Sequence, residues 1–176
     1  GHGIEASITA FQAKYLLRTF LRQFRDPAQA LEELNRQMSS VERSEEFISL
    51  VVLVFDTEAD TLRYASAGHP ATFLWHDREV RPLRSTGPLL MLTPDGTYFS
   101  REIPLARDDM AVMYTDGLAE ARNGDELFGE ERIGDMVRRN PGIAPGVLCK
   151  QLLDAANDFS AGMVQDDLAI LAVRKA

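Results

Sequence analysis

Residues 47–55 read Phe-Ile-Ser-Leu-Val-Val-Leu-Val-Phe, the most strand-like stretch of this 176-residue chain. β-Branched and aromatic side chains of this kind favour the pleated, half-buried surface of a sheet. Residues 56–60 then supply turn-forming side chains, and residues 61–65 read Thr-Leu-Arg-Tyr-Ala. Two such runs on either side of a short polar turn predict an antiparallel hairpin.

Before this hairpin the spacing of apolar residues changes to three and four, which predicts two helices. The first helix is predicted from Ile4 to Arg25, and the second begins at the cap Asp26-Pro27 and ends at Ser39-Ser40. The first helix carries an apolar stripe formed by Ile4, Ile8, Phe11 and Tyr15, which Leu16, Phe20 and Phe24 broaden. We expect this stripe to pack against the sheet, because an amphipathic helix buries its apolar face.

After the hairpin, short strands and then helices follow. Further strands are predicted at 72–75, 97–103, 110–114 and 168–173, and helices at 130–139 and 145–159. Strands grouped between helices indicate an α+β fold with antiparallel sheet rather than an alternating βαβ fold.

The composition limits the classes of function. With 45% hydrophobic and 26% charged residues, the chain has the balance of one globular domain. Its net charge of −8 argues against a nucleic-acid surface. One cysteine, Cys149, excludes an internal disulfide and fits a reducing cytoplasm. The longest apolar run, at 47–55, is far shorter than the roughly 20 residues that a membrane-spanning helix needs.

The apolar run Met110–Tyr114 ends abruptly at Thr115-Asp116-Gly117. An Asp-Gly pair on its own usually marks a tight hairpin turn. The residues that follow, 118–124, are neither β-branched nor alternating, so a second strand is not expected there. We therefore interpret Asp116 as a functional carboxylate at the end of a strand.

A second pair of carboxylates, in Gln165-Asp166-Asp167, is predicted to open the last strand. Carboxylates at the ends of two neighbouring strands suit Mg²⁺ or Mn²⁺, which prefer oxygen ligands. Adjacent residues of a strand point to opposite faces of the sheet. Only one of Asp166 and Asp167 is therefore expected to share a site with Asp116, and spacing alone does not choose between them.

Other chemistries find less support. Gly1-His2-Gly3 opens a glycine-rich stretch that superficially fits a dinucleotide fingerprint, but no strand precedes it. These glycines would instead let the backbone approach an anionic or metal-bound group at the start of the first helix. His69 and His76 lack the spacing of a helical zinc site. Cys149 lacks the arginine of a thiol phosphatase loop, because Ala155 stands at that position.

Five short motifs occur in order along the chain. They are Gly1-His2-Gly3, Ser66-Ala67-Gly68-His69-Pro70, Tyr114-Thr115-Asp116-Gly117-Leu118-Ala119-Glu120-Ala121, Glu126-Leu127-Phe128-Gly129 and Gln165-Asp166-Asp167. Together they resemble the bacterial SpoIIE-type branch of the metal-dependent protein serine/threonine phosphatases, the PPM or protein phosphatase 2C-type family.

The resemblance implies a PPM-type α-β-β-α sandwich of two antiparallel sheets flanked by helices, with two Mn²⁺ or Mg²⁺ ions at one edge. It makes Asp116 the central metal ligand and Asp166 its partner, with Asp167 less certain and Gly1, His2, Gly3 and Gly117 near the site. It also implies hydrolysis of phosphoserine or phosphothreonine by metal-activated water, without a phosphoenzyme.

One departure from the family concerns the start of the chain. The family motif is Asp-x-x-Gly-His-Gly, whereas this sequence begins at the first glycine of that motif. The resemblance therefore implies that a bridging aspartate and the first strands of the sandwich are missing. On this interpretation residues 1–176 alone bind the metal pair weakly and turn over little phosphoprotein.

The resemblance also implies a cellular setting. Residues 1–176 are expected to form one phosphatase domain at the end of a longer sensory or response-regulator protein in the cytoplasm. The implied partners are a phosphorylated anti-sigma-factor antagonist of the STAS type, an upstream sensory domain and a second copy in a homodimer, with no nucleic acid and no membrane. The alternative hypothesis is a degenerate phosphatase-fold module that binds a partner protein without turnover.

Overall fold

The computed structural model describes residues 4–40, 46–162 and 166–176. Within them the chain divides into two compact units. The first contains the described part of residues 1–69 together with residues 85–104, and the second contains residues 70–84 and the described part of 105–176. No helix in the described ranges is long and apolar enough to cross a membrane.

The helices, in chain order, are α1 (Ile4–Gln23), α2 (Pro27–Ser39), α3 (Asp116–Ala119), α4 (Gly129–Arg139) and α5 (Pro145–Phe159). The strands are β1 (Leu50–Asp56), β2 (Thr61–Ala67), β3 (Thr72–His76), β4 (Glu79–Leu83), β5 (Arg101–Pro104), β6 (Met110–Tyr114), β7 (Arg122–Asn123), β8 (Glu126–Leu127) and β9 (Ile170–Arg174). The prediction of an α+β fold with antiparallel sheets is confirmed, because every pair of strands in these sheets is antiparallel.

The first unit is a three-stranded sheet, in the order β1-β2-β5, together with α1 and α2. The predicted hairpin is confirmed, with Asp56 opposite Thr61 at its turn. The predicted cap is also confirmed, because the side chain of Asp26 accepts a hydrogen bond of 3.0 Å from the Ala28 backbone N–H. The core of this unit includes fully buried Leu31 and Leu34 of α2.

The expectation that the stripe of α1 packs against the sheet was wrong for its first four residues, whereas Leu16 and Phe20 pack against the core of this unit. Ile4 is 82% exposed and Phe11 is 61% exposed, and Ile8 and Tyr15 are exposed as well. Another face of α1 is turned to the core, where Thr9 and Ala13 are buried. Periodicity located the helix correctly, but α1 has apolar residues on two faces, and only one of them is covered by the described residues.

The second unit is a four-stranded sheet in the order β4-β3-β6-β9. The strand before Asp116, β6, lies inside this sheet and pairs with β3 on one side and β9 on the other. Its residues Met110, Ala111 and Val112 are almost completely buried. Helices α4 and α5 contribute Ile133, Val137, Leu148, Leu152 and Ala156 to the same core. The position of β6 is therefore fixed by a neighbouring strand on each side.

Several predicted boundaries were wrong. The strand predicted at 97–103 begins only at Arg101, because the backbone N–H of buried Tyr98 is turned to the Glu32 carboxylate, 3.2 Å away. Strand β4 was not predicted; it is joined to β3 by Asp77 and Arg78, which both have positive φ as a tight two-residue hairpin turn requires. The last strand, β9, begins at Ile170 rather than Leu168.

Candidate functional site

Asp116 begins α3, directly after the end of β6. Its side chain is exposed, and its Oδ1 accepts a hydrogen bond of 3.0 Å from the Gly117 backbone N–H. Its backbone carbonyl accepts a second bond, of 2.8 Å, from Glu120 N–H. The prediction that Asp116 does not open a hairpin is confirmed, because a helical turn follows. A fixed backbone thus presents a carboxylate to solvent.

The segment that carries the other two carboxylates lies beside Asp116. Thr115 N–H donates to the carbonyl of Ala169 at 3.0 Å, which extends the pairing of Tyr114 with Ile170 by one further step. The Thr115 hydroxyl donates to the Asp167 carbonyl at 2.9 Å and accepts from Ala169 N–H at 2.9 Å. The prediction that the two acidic segments flank neighbouring strands is consistent with this arrangement.

Gly117 lies against the same segment. A Cβ atom at this position would stand 2.7 Å from the Asp167 carbonyl oxygen and 3.3 Å from that of Asp166. Real Cβ atoms do not approach backbone oxygen so closely, so only glycine allows the two segments this separation. The sequence indicated Gly117 as a neighbour of the site, but its contact with Asp167 is visible only in the structure.

Asp166 and Asp167 both have exposed side chains and lie before the first residue of β9. The argument that they point to opposite faces of a strand was therefore wrong in its premise, since neither belongs to a strand. The Asp167 N–H donates to Asp166 Oδ1 at 2.9 Å, a local bond between a side chain and the next residue's backbone. Gln165, the residue before them, lies outside the described residues, as do Gly1, His2 and Gly3.

The atoms of Asp116, Asp166 and Asp167 that could bind a metal are all oxygen atoms. Oxygen ligands suit a hard divalent cation rather than zinc or copper. Magnesium commonly binds through one or two carboxylates and keeps several waters. An exposed Asp116 carboxylate beside the Asp166-Asp167 segment fits that requirement. In the described ranges no group of three or more His, Cys, Asp or Glu residues is placed to hold a metal ion.

Two other ionisable side chains belong to β6 or pack beside it. Burial, followed by the negative charge of Glu130, raises the pKa of Tyr114, so its phenol stays protonated at neutral pH. His76 Nδ1 lies 2.6 Å from Asp109 Oδ2, at the start of β6 and thus at the opposite end from Asp116. This contact ties His76 to the start of β6, away from Asp116.

A small hairpin after α3 was missed by the sequence reasoning. It pairs β7 with β8 and turns at Gly124, where φ is +62°. Arg132 of α4 attaches it, because the guanidinium donates to the carbonyls of Leu127 and Phe128 at 2.9 and 2.8 Å. The same guanidinium lies 4.7 Å from the ring centre of Phe159, in α5. The Gly124-Asp125 pair, which forms the turn between Asn123 and Glu126, was the available signal.

Comparison with known proteins agrees with this picture. Residues 1–176 match the family model described as stage II sporulation protein E (SpoIIE). The chain is 23% identical to the phosphoserine phosphatase RsbU of Bacillus subtilis, over 99% of this chain and 53% of RsbU. It is also 30% identical to the protein IcfG of Synechocystis, over 72% of this chain and 20% of IcfG.

Solved structures show the same fold. The SiaA-PP2C domain of Pseudomonas aeruginosa superposes with a TM-score of 0.87 at 22% identity, covering 100% of this chain and 72% of that one. The RsbU and RsbW domains of a Mycobacterium tuberculosis protein give a TM-score of 0.81 at 27% identity, covering 100% of this chain and 51% of that one. The chain spans about half the length of RsbU and a smaller part of IcfG.

Proposed function

The chain belongs to the SpoIIE family, and from that premise we propose that it is the catalytic domain of a metal-dependent protein serine/threonine phosphatase. One observation carries the proposal: Thr115, at the end of an interior strand, is hydrogen-bonded to the backbone of Asp167 and Ala169, so the exposed Asp116 that follows it lies beside the Asp166-Asp167 segment. In this proposal residues 1–176 form the output domain of a longer cytoplasmic protein with an upstream sensory domain.

Asp116 and Asp166 would hold the metal, with Asp167 as the less certain third ligand. A bound pair of Mn²⁺ or Mg²⁺ ions supplies an activated water as nucleophile and neutralises charge on the phosphoryl oxygens. The protein itself contributes the fixed positions of the segments that carry the carboxylates. The sheet fixes Asp116 through Tyr114, and the bonds from Thr115 fix the neighbouring segment, so the carboxylates need little reorganisation when they bind.

The substrate that we propose is a phosphoserine or phosphothreonine on a regulatory protein, namely an anti-sigma-factor antagonist of the STAS type. Two relatives support this choice: RsbU is named a phosphoserine phosphatase, and the Mycobacterium tuberculosis protein joins an RsbU domain to an RsbW domain. A surface-exposed site suits a protein substrate, because a phosphorylated side chain must reach Asp116 while the rest of the substrate stays outside.

The proposal is tested by release of inorganic phosphate from a STAS-type protein phosphorylated on serine. We expect the full-length protein to release phosphate with Mn²⁺ or Mg²⁺ present and to stop when the metal is chelated. A phosphotyrosine protein serves as the control substrate and should remain phosphorylated. Phosphate release that continues in excess chelator would rule out metal-dependent hydrolysis.

The second candidate function is a phosphatase-fold module that binds a protein partner without turnover. Two observations favour it: the described ranges contain no group of three metal-ligating side chains, and α1 exposes a large apolar stripe. Calorimetry with Mn²⁺ separates the two candidates. A phosphatase should bind two ions, and both should bind more weakly after Asp116→Ala, whereas a binding module should show no such sites.

The exposed stripe of α1 supports a second copy of the chain as a partner. Ile4, Ile8, Phe11 and Tyr15 lie along one face and line, with Met38, a groove of about 1040 Å³. A two-fold axis between positions 9 and 10 would place each apolar residue opposite another and would place Glu5 opposite the second copy's Lys14. Self-complementarity of this kind is what a symmetric dimer interface requires.

We expect Phe11→Glu to weaken this homodimer more than tenfold, because a carboxylate would be buried in an apolar interface. Sedimentation velocity of the full-length protein measures the dissociation constant. Phe99→Glu is the matched control, since Phe99 is 69% exposed in the same unit but lies outside the stripe. An unchanged dissociation constant for Phe11→Glu, or equal weakening by both variants, would exclude α1 as the interface.

A further inference from the structure

The side chain of Thr115 is hydrogen-bonded at two points to the backbone that follows Asp166. Its hydroxyl donates to the Asp167 carbonyl and accepts from the Ala169 N–H, both at 2.9 Å. Its own backbone N–H donates to the Ala169 carbonyl at 3.0 Å. Three hydrogen bonds thus connect the residue before Asp116 to the residues after Asp166.

The two hydrogen bonds of the Thr115 side chain lie beyond the last residue pair of β6 and β9. The registered pairs of β6 and β9 end with Tyr114 opposite Ile170, so residues 167–169 lie beyond the strand. The threonine hydroxyl both donates and accepts a hydrogen bond, and serine carries the same group at the same distance from the backbone. Thr115 therefore continues the attachment of the two segments through its side chain.

We propose that Thr115 is a positioning residue for the cation site, and this inference rests on the proposed function. Its hydroxyl holds the backbone of Asp167, whose N–H in turn donates to Asp166 Oδ1, so Thr115 positions the backbone that carries both acidic side chains beside Asp116. A ligand pair held at fixed separation binds a cation more tightly, because less order must be imposed on binding.

The surroundings explain why this contact matters for the site rather than for the fold. Asp166, Asp167 and Ala169 are exposed, so little apolar burial holds their backbone in place. The contact of Gly117 with Asp167 sets a lower limit on the distance between the two segments but does not attract them. Hydrogen bonds from Thr115 supply the attraction.

The test compares Thr115→Val with Thr115→Ser in the full-length protein, with Mn²⁺ affinity measured by calorimetry. Valine keeps the shape and loses both side-chain bonds, and we expect Mn²⁺ to bind about tenfold more weakly, at the lower end of the effect of residues that orient metal ligands. Serine keeps both bonds and should bind Mn²⁺ within about twofold of the parent protein.

Thr72→Val is the matched control. Thr72 begins β3 in the same unit, and its buried hydroxyl has no hydrogen-bond partner among the described residues. Like Thr115→Val, this variant exchanges a hydroxyl for a methyl group, but it breaks no described hydrogen bond. Mn²⁺ affinity should therefore not change. Hydrogen exchange at the Ala169 amide gives a second readout, and it should become faster in Thr115→Val at an unchanged melting temperature.

Three results would overturn the inference. The first is parental Mn²⁺ affinity in Thr115→Val while Asp116→Ala still weakens binding, which would leave the proposed function intact. The second is Thr115→Ser binding Mn²⁺ as weakly as Thr115→Val. The third is the absence of Mn²⁺ binding by the parent protein, which would overturn the proposed function at the same time. A tenfold loss confined to valine supports it.

Discussion

Asp116→Asn should lower kcat of the full-length protein on a phosphoserine protein by about a thousandfold. The amide has the shape of the carboxylate but no charge, so a divalent cation would lose the anionic ligand that we propose as central. Metal ions contribute several kcal/mol of charge stabilisation to phosphoryl transfer, and a loss of about 4 kcal/mol corresponds to that factor in rate. Phosphate release at saturating Mn²⁺ measures it.

We expect Asp116→Asn to fold as the parent protein does. The Asp116 side chain is exposed, and its one described hydrogen bond, from Gly117 N–H to Oδ1, can be accepted equally well by the oxygen of an amide. We therefore expect the melting temperature to stay within a few degrees of the parent value. A fall in kcat at constant stability would assign the loss to the site.

Asp108→Asn is the matched control for charge. Asp108 is an exposed aspartate just before β6, at the opposite end from Asp116, and it has a positive φ of 69° that asparagine also tolerates. Removing this charge should leave kcat unchanged. Equal loss of activity in both variants would show that net charge, and not the position of Asp116, governs the rate.

The sequence allowed the elements to be predicted where local patterns are strong. The hairpin of β1 and β2, the capped helix α2, and helices α4 and α5 were found because periodicity and caps are local properties of the chain. The hairpin of β7 and β8 was missed because its residues are polar, and what attaches it is Arg132 from a later helix.

The candidate site was predicted as far as its exposed carboxylates. Asp116 was recognisable because a buried strand ends at a charged residue, a pattern that requires no knowledge of the partner strand. Thr115 carried no signal, since its role depends on hydrogen bonds to Asp167 and Ala169 that arise only when β6 pairs with β9. The stripe of α1 shows the same limit, because periodicity gives the faces of a helix but not what covers them.

Gly117→Ala is expected to have the second largest effect, on both activity and stability. The added Cβ would meet the Asp167 carbonyl oxygen at 2.7 Å and its carbon at 3.2 Å, and both are backbone atoms that no rotamer change can move. The segment must shift, which should cost about 1–3 kcal/mol of the free energy of unfolding. Displacement of a ligand segment by about 1 Å can reduce kcat roughly a hundredfold.

Gly146→Ala separates this steric effect from the general effect of adding a methyl group to a helical glycine. Gly146 lies in the first turn of α5, and a Cβ there meets no atom within 4 Å, so alanine should keep parental activity and gain up to about 1 kcal/mol in stability. Urea unfolding and phosphate release measure both quantities.

Parental stability and kcat in Gly117→Ala would mean that the two segments separate freely. The close approach of Gly117 to Asp167 would then have no part in positioning the carboxylates. If the approach does matter, Mn²⁺ affinity should fall together with kcat, because the same displacement moves Asp166 and Asp167 away from Asp116.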